Sequence, residues 1–471
     1  MDVLRGLAIV GMVLSGTISR NAALPAWLYH AQIAPPDFKF NPDLPGITWV
    51  DLVFPFFIFA MGVAIPFSLG NRTENGSTFA SIIRKNTIRA IRLFVFAIML
   101  GQLSPWHYAG MEGYYPWAAA LLAFVAFFLA FGKLPISHAW QKTAEAGGYV
   151  LMIGLLVIRH LVLDLPFSFN KNDIIILVLA NLALIGGIIW LLTREKPLTR
   201  LAILAFVITW RLTHGVEGSV NQWLWSFTPA KTLAAWFPWL KETLKPIGDL
   251  CKTVFYNPEF LKYLLILIPG MLAGDLLRSN KAKPAIGNAA AIIFAAVIVA
   301  NTWLLFARQL NLFWAINLIF GLILLNHKTL FKSLHGKDLS IALWSYAWLL
   351  LGTIFEAWEG GIKKDPSTYS YLLLTAGLSG FSLLVFRHIC SLRTWSARLA
   401  IIEKAGMNPM IGYVVVSYAI APLLQFAQLL PWMDGWHLSQ PWLGVLRGLV
   451  LTLLMLLATQ WFTNKKLYWK T

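Results

Sequence analysis

The chain has 471 residues, of which 58% are hydrophobic, 14% aromatic and only 13% charged. A soluble domain carries roughly 25% charged residues, so a water-soluble globular protein is excluded. The net charge of +17 would suggest nucleic acid on a soluble chain. On one this apolar it is better explained by Lys and Arg gathered in short loops on one side of a membrane.

In chain order, apolar runs near 3–18, 49–70, 86–104, 115–131, 147–164, 173–193, 200–214, 260–277, 288–307, 311–327, 340–356, 369–387, 408–428 and 443–463 predict spans. The runs are continuous rather than alternating, which selects helices over a closed barrel. The expected architecture is all-α, a polytopic bundle of about 11–14 spans at ~20 residues each, forming a single domain over 1–471 with long outer loops at 19–48 and 215–259. The run at 200–214 is short enough to be re-entrant. The runs at 288–307 and 311–327 are separated by so little that they form a tight hairpin or are miscounted. No cleavable signal peptide is expected, because no basic lead or small-residue cleavage site accompanies the first run.

Alternation of sides can be read from charge. With the N-terminus inside, the inner loops 71–85, 132–146, 194–200, 278–287, 328–338, 388–406 and 464–471 hold 20 Lys and Arg, against 10 in the longer outer loops. That bias predicts cytoplasmic termini in a cell inner membrane. The 22 Trp and 13 Tyr suit interfacial belts. Outer loop 19–48 is rich in proline and cannot be helical throughout. Loop 215–259, with Trp223, Trp225, Trp236 and Trp239, is expected to hold an amphipathic helix on the outer surface. Cys251 and Cys390 fall on opposite sides, so neither a disulfide nor a cysteine metal site is expected.

Polar residues in or beside a span are functional candidates by default. His30 stands in the first outer loop, within Trp27-Leu28-Tyr29-His30-Ala31-Gln32, where an imidazole can act as base or as acyl-accepting nucleophile. Asp51 opens the second span inside Gly46-Ile47-Thr48-Trp49-Val50-Asp51. It either caps that helix or supports a histidine. Arg5, in Asp2-Val3-Leu4-Arg5-Gly6, is either an inner anchor or a grip on phosphate. Glu356, Trp358, Glu359, Lys363, Lys364, Asp365, Ser367 and Thr368 form a polar cluster that is either a sugar-binding site or a solvated loop. Asn408, in Gly406-Met407-Asn408-Pro409, is a cap or part of a binding site. Arg159, His160, Arg211 and His214 are expected to snorkel at outer span ends. Arg84, Lys85, Arg89 and Arg92 read as a basic helix start at the headgroups.

These elements resemble the heparan-α-glucosaminide N-acetyltransferase family, and more closely its bacterial members. The resemblance rests on Asp2-x-x-Arg5-Gly6, Met12, His30-Ala31 and Gly46-x-Thr48-x-x-Asp51-Leu52-Val53-Phe54-Pro55-Phe56-Phe57. The later Lys363-Lys364-Asp365-Pro366-Ser367-Thr368 and Gly406-Met407-Asn408-Pro409 add to it. It implies transfer of an acetyl group from cytoplasmic acetyl-CoA to an amino sugar or glycan on the periplasmic side; no metal is expected, since the sequence has no His-x-x-His pair or Cys cluster. His30 and Asp51 would then be catalytic, Arg5 and Asn408 would bind the acetyl-CoA co-substrate, and Glu356, Lys363, Lys364 and Asp365 would bind the acceptor. The chain departs from the family pattern in two places. The segment Gln32 to Gly46 intervenes between His-Ala and the Gly-x-Thr-x-x-Asp element, and Gly16 stands where the family has Asn. Membrane lipid is an expected partner, nucleic acid is not, and a homodimer stays open. So do two other functions. One is a polyprenyl-phosphate-dependent glycosyltransferase using Asp37 and Asp43. The other is a secondary transporter, against which the lack of repeats and of midplane charge counts.

Overall fold

The computed structural model describes residues 1–105, 113–227, 233, 235–240, 258–278, 286–330 and 333–469. It is 78% helical with almost no strand, an all-α polytopic fold. The principal helices are α1 (Asp2–Thr17), α2 (Trp49–Glu74), α3 (Phe79–Gln102), α4 (Tyr115–Phe131), α5 (His138–Leu163), α6 (Ile174–Thr193), α7 (Thr199–Thr213) and α8 (Leu264–Arg278). They continue with α9 (Asn288–Phe306), α10 (Leu310–Leu325), α11 (Gly336–Trp358), α12 (Tyr369–Ser391) and α13 (Arg393–Met407). The last two are α14 (Pro409–Phe426) and α15 (Pro441–Asn464).

Among the described residues nine helices are long and apolar enough to cross a membrane, and α4 and α10 are shorter apolar helices. Every predicted run is helical. The close pair near residue 308 is a tight hairpin: α9 and α10 are joined by Ala307, Arg308 and Gln309, with Arg308 at φ 56°. One loop is corrected. Segment 388–406, expected to be an inner loop, holds the 15-residue α13. Its charged residues Arg393, Arg398, Glu403 and Lys404 hid the pattern, since most of the helix is exposed while Ala405 and Gly406 are buried. Cys251 and much of segment 215–259 lie outside the described residues; of the tryptophans that marked the expected surface helix, Trp223 and Trp225 lie on a short helix, Val220–Ser226, and Trp239 in a 3-10 turn, Pro238–Leu240.

The chain gathers into two compact units, Met1–Phe67 with Leu265–Trp469, and Ser68–Leu264. In the first, α12 is the central element, with 83% of its most apolar stretch buried. Without a hydrophobic difference between lipid and side chain, membrane helices associate through small residues that let backbones approach. Gly62 of α2 and Gly270 of α8 meet in this way. A Cβ on Gly62 would lie 2.3 Å from the Leu267 carbonyl oxygen, and one on Gly270 would lie 2.4 Å from that of Phe59. The proline-rich loop 19–48 is ordered, because Leu24, Leu28 and Tyr29 bury themselves with Ile18 against Leu14, Phe38 and Trp49.

In the second unit, the Asn86 side-chain amide of α3 donates to the Ala183 carbonyl of α6 at 3.0 Å. Arg159 does not snorkel: it is 1% exposed, and its Nη1 donates to Gln102 Oε1 at 2.7 Å. An interior amide oxygen replaced water as its partner. Arg211 reaches Glu259 at 3.4 Å, and His214 stacks on Trp225 with ring centres 4.3 Å apart. Of the basic run on α3, Arg84, Lys85 and Arg89 are exposed, whereas Arg92 turns inward to the Ala130 carbonyl at 2.9 Å.

Candidate active site

The site grows from the N-terminus of α2. Thr48 caps this helix: its hydroxyl accepts from the Val50 N–H at 3.3 Å and donates to the Tyr29 carbonyl at 2.7 Å. Asp51, at the third helical position, returns the favour by accepting the Thr48 N–H on Oδ2 at 2.9 Å. This reciprocal capping box satisfies donors that an α-helix leaves orphaned. The same Oδ2 also accepts the Ala31 N–H at 3.2 Å. Gly46, at φ 130°, starts the element because its N–H must meet the Ile362 carbonyl at 2.8 Å in a backbone conformation that a side chain would strain.

The two oxygens of Asp51 are placed differently. Oδ2 is the cap. Oδ1 has no hydrogen-bond partner although the residue is completely buried, and it faces His30 Nε2 at 3.3 Å and Lys364 Nζ at 3.8 Å. A buried carboxylate survives only when paired and hydrogen-bonded, and Lys364 supplies the nearby positive charge. Tyr371 of α12 donates its hydroxyl to the Asp51 carbonyl at 2.7 Å, which fixes the start of α2 against the central helix.

His30 is held from both sides of its ring. Its Nδ1 accepts the Gln32 N–H at 3.0 Å, so in the neutral ring the proton sits on Nε2. That nitrogen lies between two carboxylates, Asp51 at 3.3 Å and Asp365 Oδ2 at 3.4 Å. Asp51 is inaccessible, while the Asp365 side chain is 49% exposed. Beneath the histidine, burial pushes the Tyr29 phenol above its usual range, partly offset by the Asn21 N–H and Arg20. It stays protonated and donates to the Ser19 carbonyl at 2.8 Å. The ring thus has Nδ1 on a backbone N–H and Nε2 turned toward two carboxylate oxygens.

The other predicted residues divide. Lys364 and Asp365 join His30 and Asp51. Glu356 does not: it is buried and pairs with Arg308 at 2.6 Å. Lys363 shapes the loop through its backbone, its N–H donating to Thr368 Oγ1 at 3.0 Å. Glu359 caps α12, accepting the N–H groups of Tyr369 and Ser370 at 2.7 and 2.8 Å. Arg5 pairs with Asp2 through Nη2, while its buried Nε has no partner. Asn408 is completely buried. It does not cap α14 but binds the C-terminal backbone, donating to the Leu467 carbonyl at 2.9 Å and accepting the Trp469 N–H at 3.1 Å. The Asp2-x-x-Arg5-Gly6 and Gly406-x-Asn408 elements, distant in sequence, touch: a Cβ on Gly6 would lie 1.9 Å from the Ile402 carbonyl oxygen, and one on Gly406 1.8 Å from that of Asp2. Among the described residues no group of His, Cys, Asp and Glu is arranged to hold a metal ion.

Sequence reasoning passed over Gln32 and Thr48 as parts of the site. The signal for Thr48 was present in Thr48-x-x-Asp51, which is a capping-box spacing. Nothing local marked Gln32, whose partners are far along the chain.

Residues 1–245 match the family model described as a domain of unknown function (DUF5009). The chain belongs to this family. The DUF5009 match carries His30, Gln32 and Asp51, whereas Lys364 and Asp365 lie beyond it. No curated protein matches the chain.

Proposed function

We propose that this DUF5009 protein is a transmembrane acyltransferase. It moves an acetyl group from cytoplasmic acetyl-CoA to an amino sugar or glycan on the periplasmic side of the inner membrane. The observation that carries the reading is the His30 ring, oriented by the Gln32 amide and backed by the buried Asp51 carboxylate. The family resemblance of the surrounding motifs supports it, and the loop charge bias supports cytoplasmic termini.

The chemistry follows from the ring's orientation. The acceptor displaces the Gln32 N–H from Nδ1, and the acceptor nitrogen attacks the thioester carbonyl. A C–N bond forms, the C–S bond breaks, and the proton leaving the nitrogen goes to Nδ1. The resulting imidazolium is stabilised on its Nε2–H side by Asp51 and Asp365. The CoA thiolate then takes the proton. General base catalysis of this kind is worth roughly 10²–10⁴-fold. Arg5 stands at the far end of α1, whose 16 residues rise roughly 24 Å at 1.5 Å each, a distance comparable to a bilayer core. There its guanidinium would meet a CoA phosphate.

The test is transfer of labelled acetyl from acetyl-CoA to glucosamine-type acceptors in proteoliposomes. Transfer by the wild type, with donor and acceptor on opposite sides, is expected. Absence of acetyl-CoA binding in calorimetry, with binding of a polyprenyl phosphate instead, would overturn the proposal.

A further inference from the structure

We infer that Gln32 is a positioning residue that brings the second carboxylate, Asp365, to His30. The inference builds on the reading of His30 as the base. Gln32 is completely buried, although it belongs to a loop in which Asp37 and Asp43 face solvent. Its side-chain amide grips the backbone of Asp365 at two points. Oε1 accepts the Asp365 N–H at 2.9 Å, and Nε2 donates to the Asp365 carbonyl at 2.6 Å. The two bonds reproduce the exchange that one strand residue makes with its neighbour, and they allow little rotation of residue 365. Nε2 also donates to the Pro42 carbonyl at 3.2 Å, while the Gln32 carbonyl accepts the Asn41 N–H at 2.9 Å. One residue thus closes the loop 32–42 on itself and docks the loop around residue 365 onto it.

The consequence lies at His30. The Gln32 backbone N–H holds Nδ1, and its side chain sets where the Asp365 carboxylate stands relative to Nε2. Of the charged groups around the ring, Asp51 is placed by the α2 cap and needs no help from Gln32, and Lys364 faces Asp51 at 3.8 Å. Asp365 comes from a loop separated from His30 by most of the chain; the Gly46 N–H on the Ile362 carbonyl docks that loop, and the Gln32 clamp fixes residue 365 itself. The segment Gln32 to Gly46, which interrupts the spacing of the motif, begins with this residue. It acts as the carrier of a contact rather than as a spacer.

The experiment uses Gln32→Ala, the isosteric Gln32→Glu, Asp365→Asn and the Gln32→Ala/Asp365→Asn double variant, all of the full-length chain. Gln32→Glu keeps the size but turns the donor facing two carbonyls into an acceptor. In the proteoliposome assay each single change is expected to lower kcat roughly tenfold with little change in KM, and the double variant to fall no further, since residues acting through one contact are not additive. The second readout needs no activity. With ring-15N histidine and His30→Gln to assign the signal, NMR reports the Nε2 proton of His30. Both Gln32 variants should move it to the position seen in Asp365→Asn. Gln32 variants that keep the wild-type Nε2 proton signal while Asp365→Asn shifts it would overturn the inference, as would fully multiplicative losses in the double variant. A wild type that transfers no acetyl but shows the coupled NMR shifts would remove the enzymatic reading and leave the positioning role standing.

Discussion

The two ends of α1 carry sequence motifs of similar appearance, yet they use polarity in opposite ways. At the Arg5 end, Gly6 and Gly406 bring two backbones into contact, and Asn408 is closed off by the C-terminal backbone. The buried Nε of Arg5 has no hydrogen-bond partner. At the His30 end most polar groups are bonded, but one carboxylate oxygen is not. Asp51 uses one oxygen for architecture and presents the other, unbonded, to an imidazole and an ammonium. A buried polar group without a partner costs ~1–3 kcal/mol, and such groups collect where a ligand or a reaction completes them.

The largest way to break the comparison is at the imidazole. His30→Ala is expected to lower acetyl transfer at least about 100-fold while folding and acetyl-CoA binding persist. Asp51→Asn should lower the rate less, because its side-chain oxygen can still cap α2. Equal thermal stability in all three proteins, read by a melting curve, assigns the losses to chemistry.

At the opposite end the expected loss is structural. Gly6→Val should destabilise the protein by about 1–3 kcal/mol through overpacking, because a Cβ there collides with the Ile402 carbonyl. Gly16→Ala on the same helix, where a Cβ would meet nothing within 4 Å, should leave the melting temperature unchanged or raise it. Equal melting temperatures for Gly6→Val and wild type would contradict the packing account.

Asn408→Ala removes both contacts to the C-terminal segment and leaves the Trp469 N–H unsatisfied. A loss of about 1–3 kcal/mol is expected, with acetyl-CoA affinity per folded molecule retained. A selective loss of affinity at unchanged stability would return Asn408 to the binding site. The smallest effect is expected for Arg5→Ala, roughly a tenfold weaker Kd for acetyl-CoA in calorimetry, on the order of a single charge-assisted hydrogen bond. An unchanged Kd would make this end purely structural and sharpen the contrast.

Sequence legibility followed the range of the interactions. Composition and run length sufficed for the all-α membrane fold, because a bilayer allows few other ways to satisfy a backbone. The apolar run and Asp51 as a cap made the start of α2 readable, since the capping partners are three residues apart. Helix α13 was missed because a charged, mostly exposed helix has the composition of a loop. His30 and Asp51 stood out as polar residues beside apolar runs, but not the division of labour between the two Asp51 oxygens. Nor did the sequence separate Asp365, which reaches the histidine, and Lys364, which reaches Asp51, from Glu356, which Arg308 holds. The places of Lys364 and Asp365, and the clamp of Gln32 on Asp365, depend on contacts between residues more than 300 positions apart. Local propensity and hydrophobic period carry no information at that separation. Only the packing of α12 and its preceding loop against the start of α2 decided which polar groups would meet.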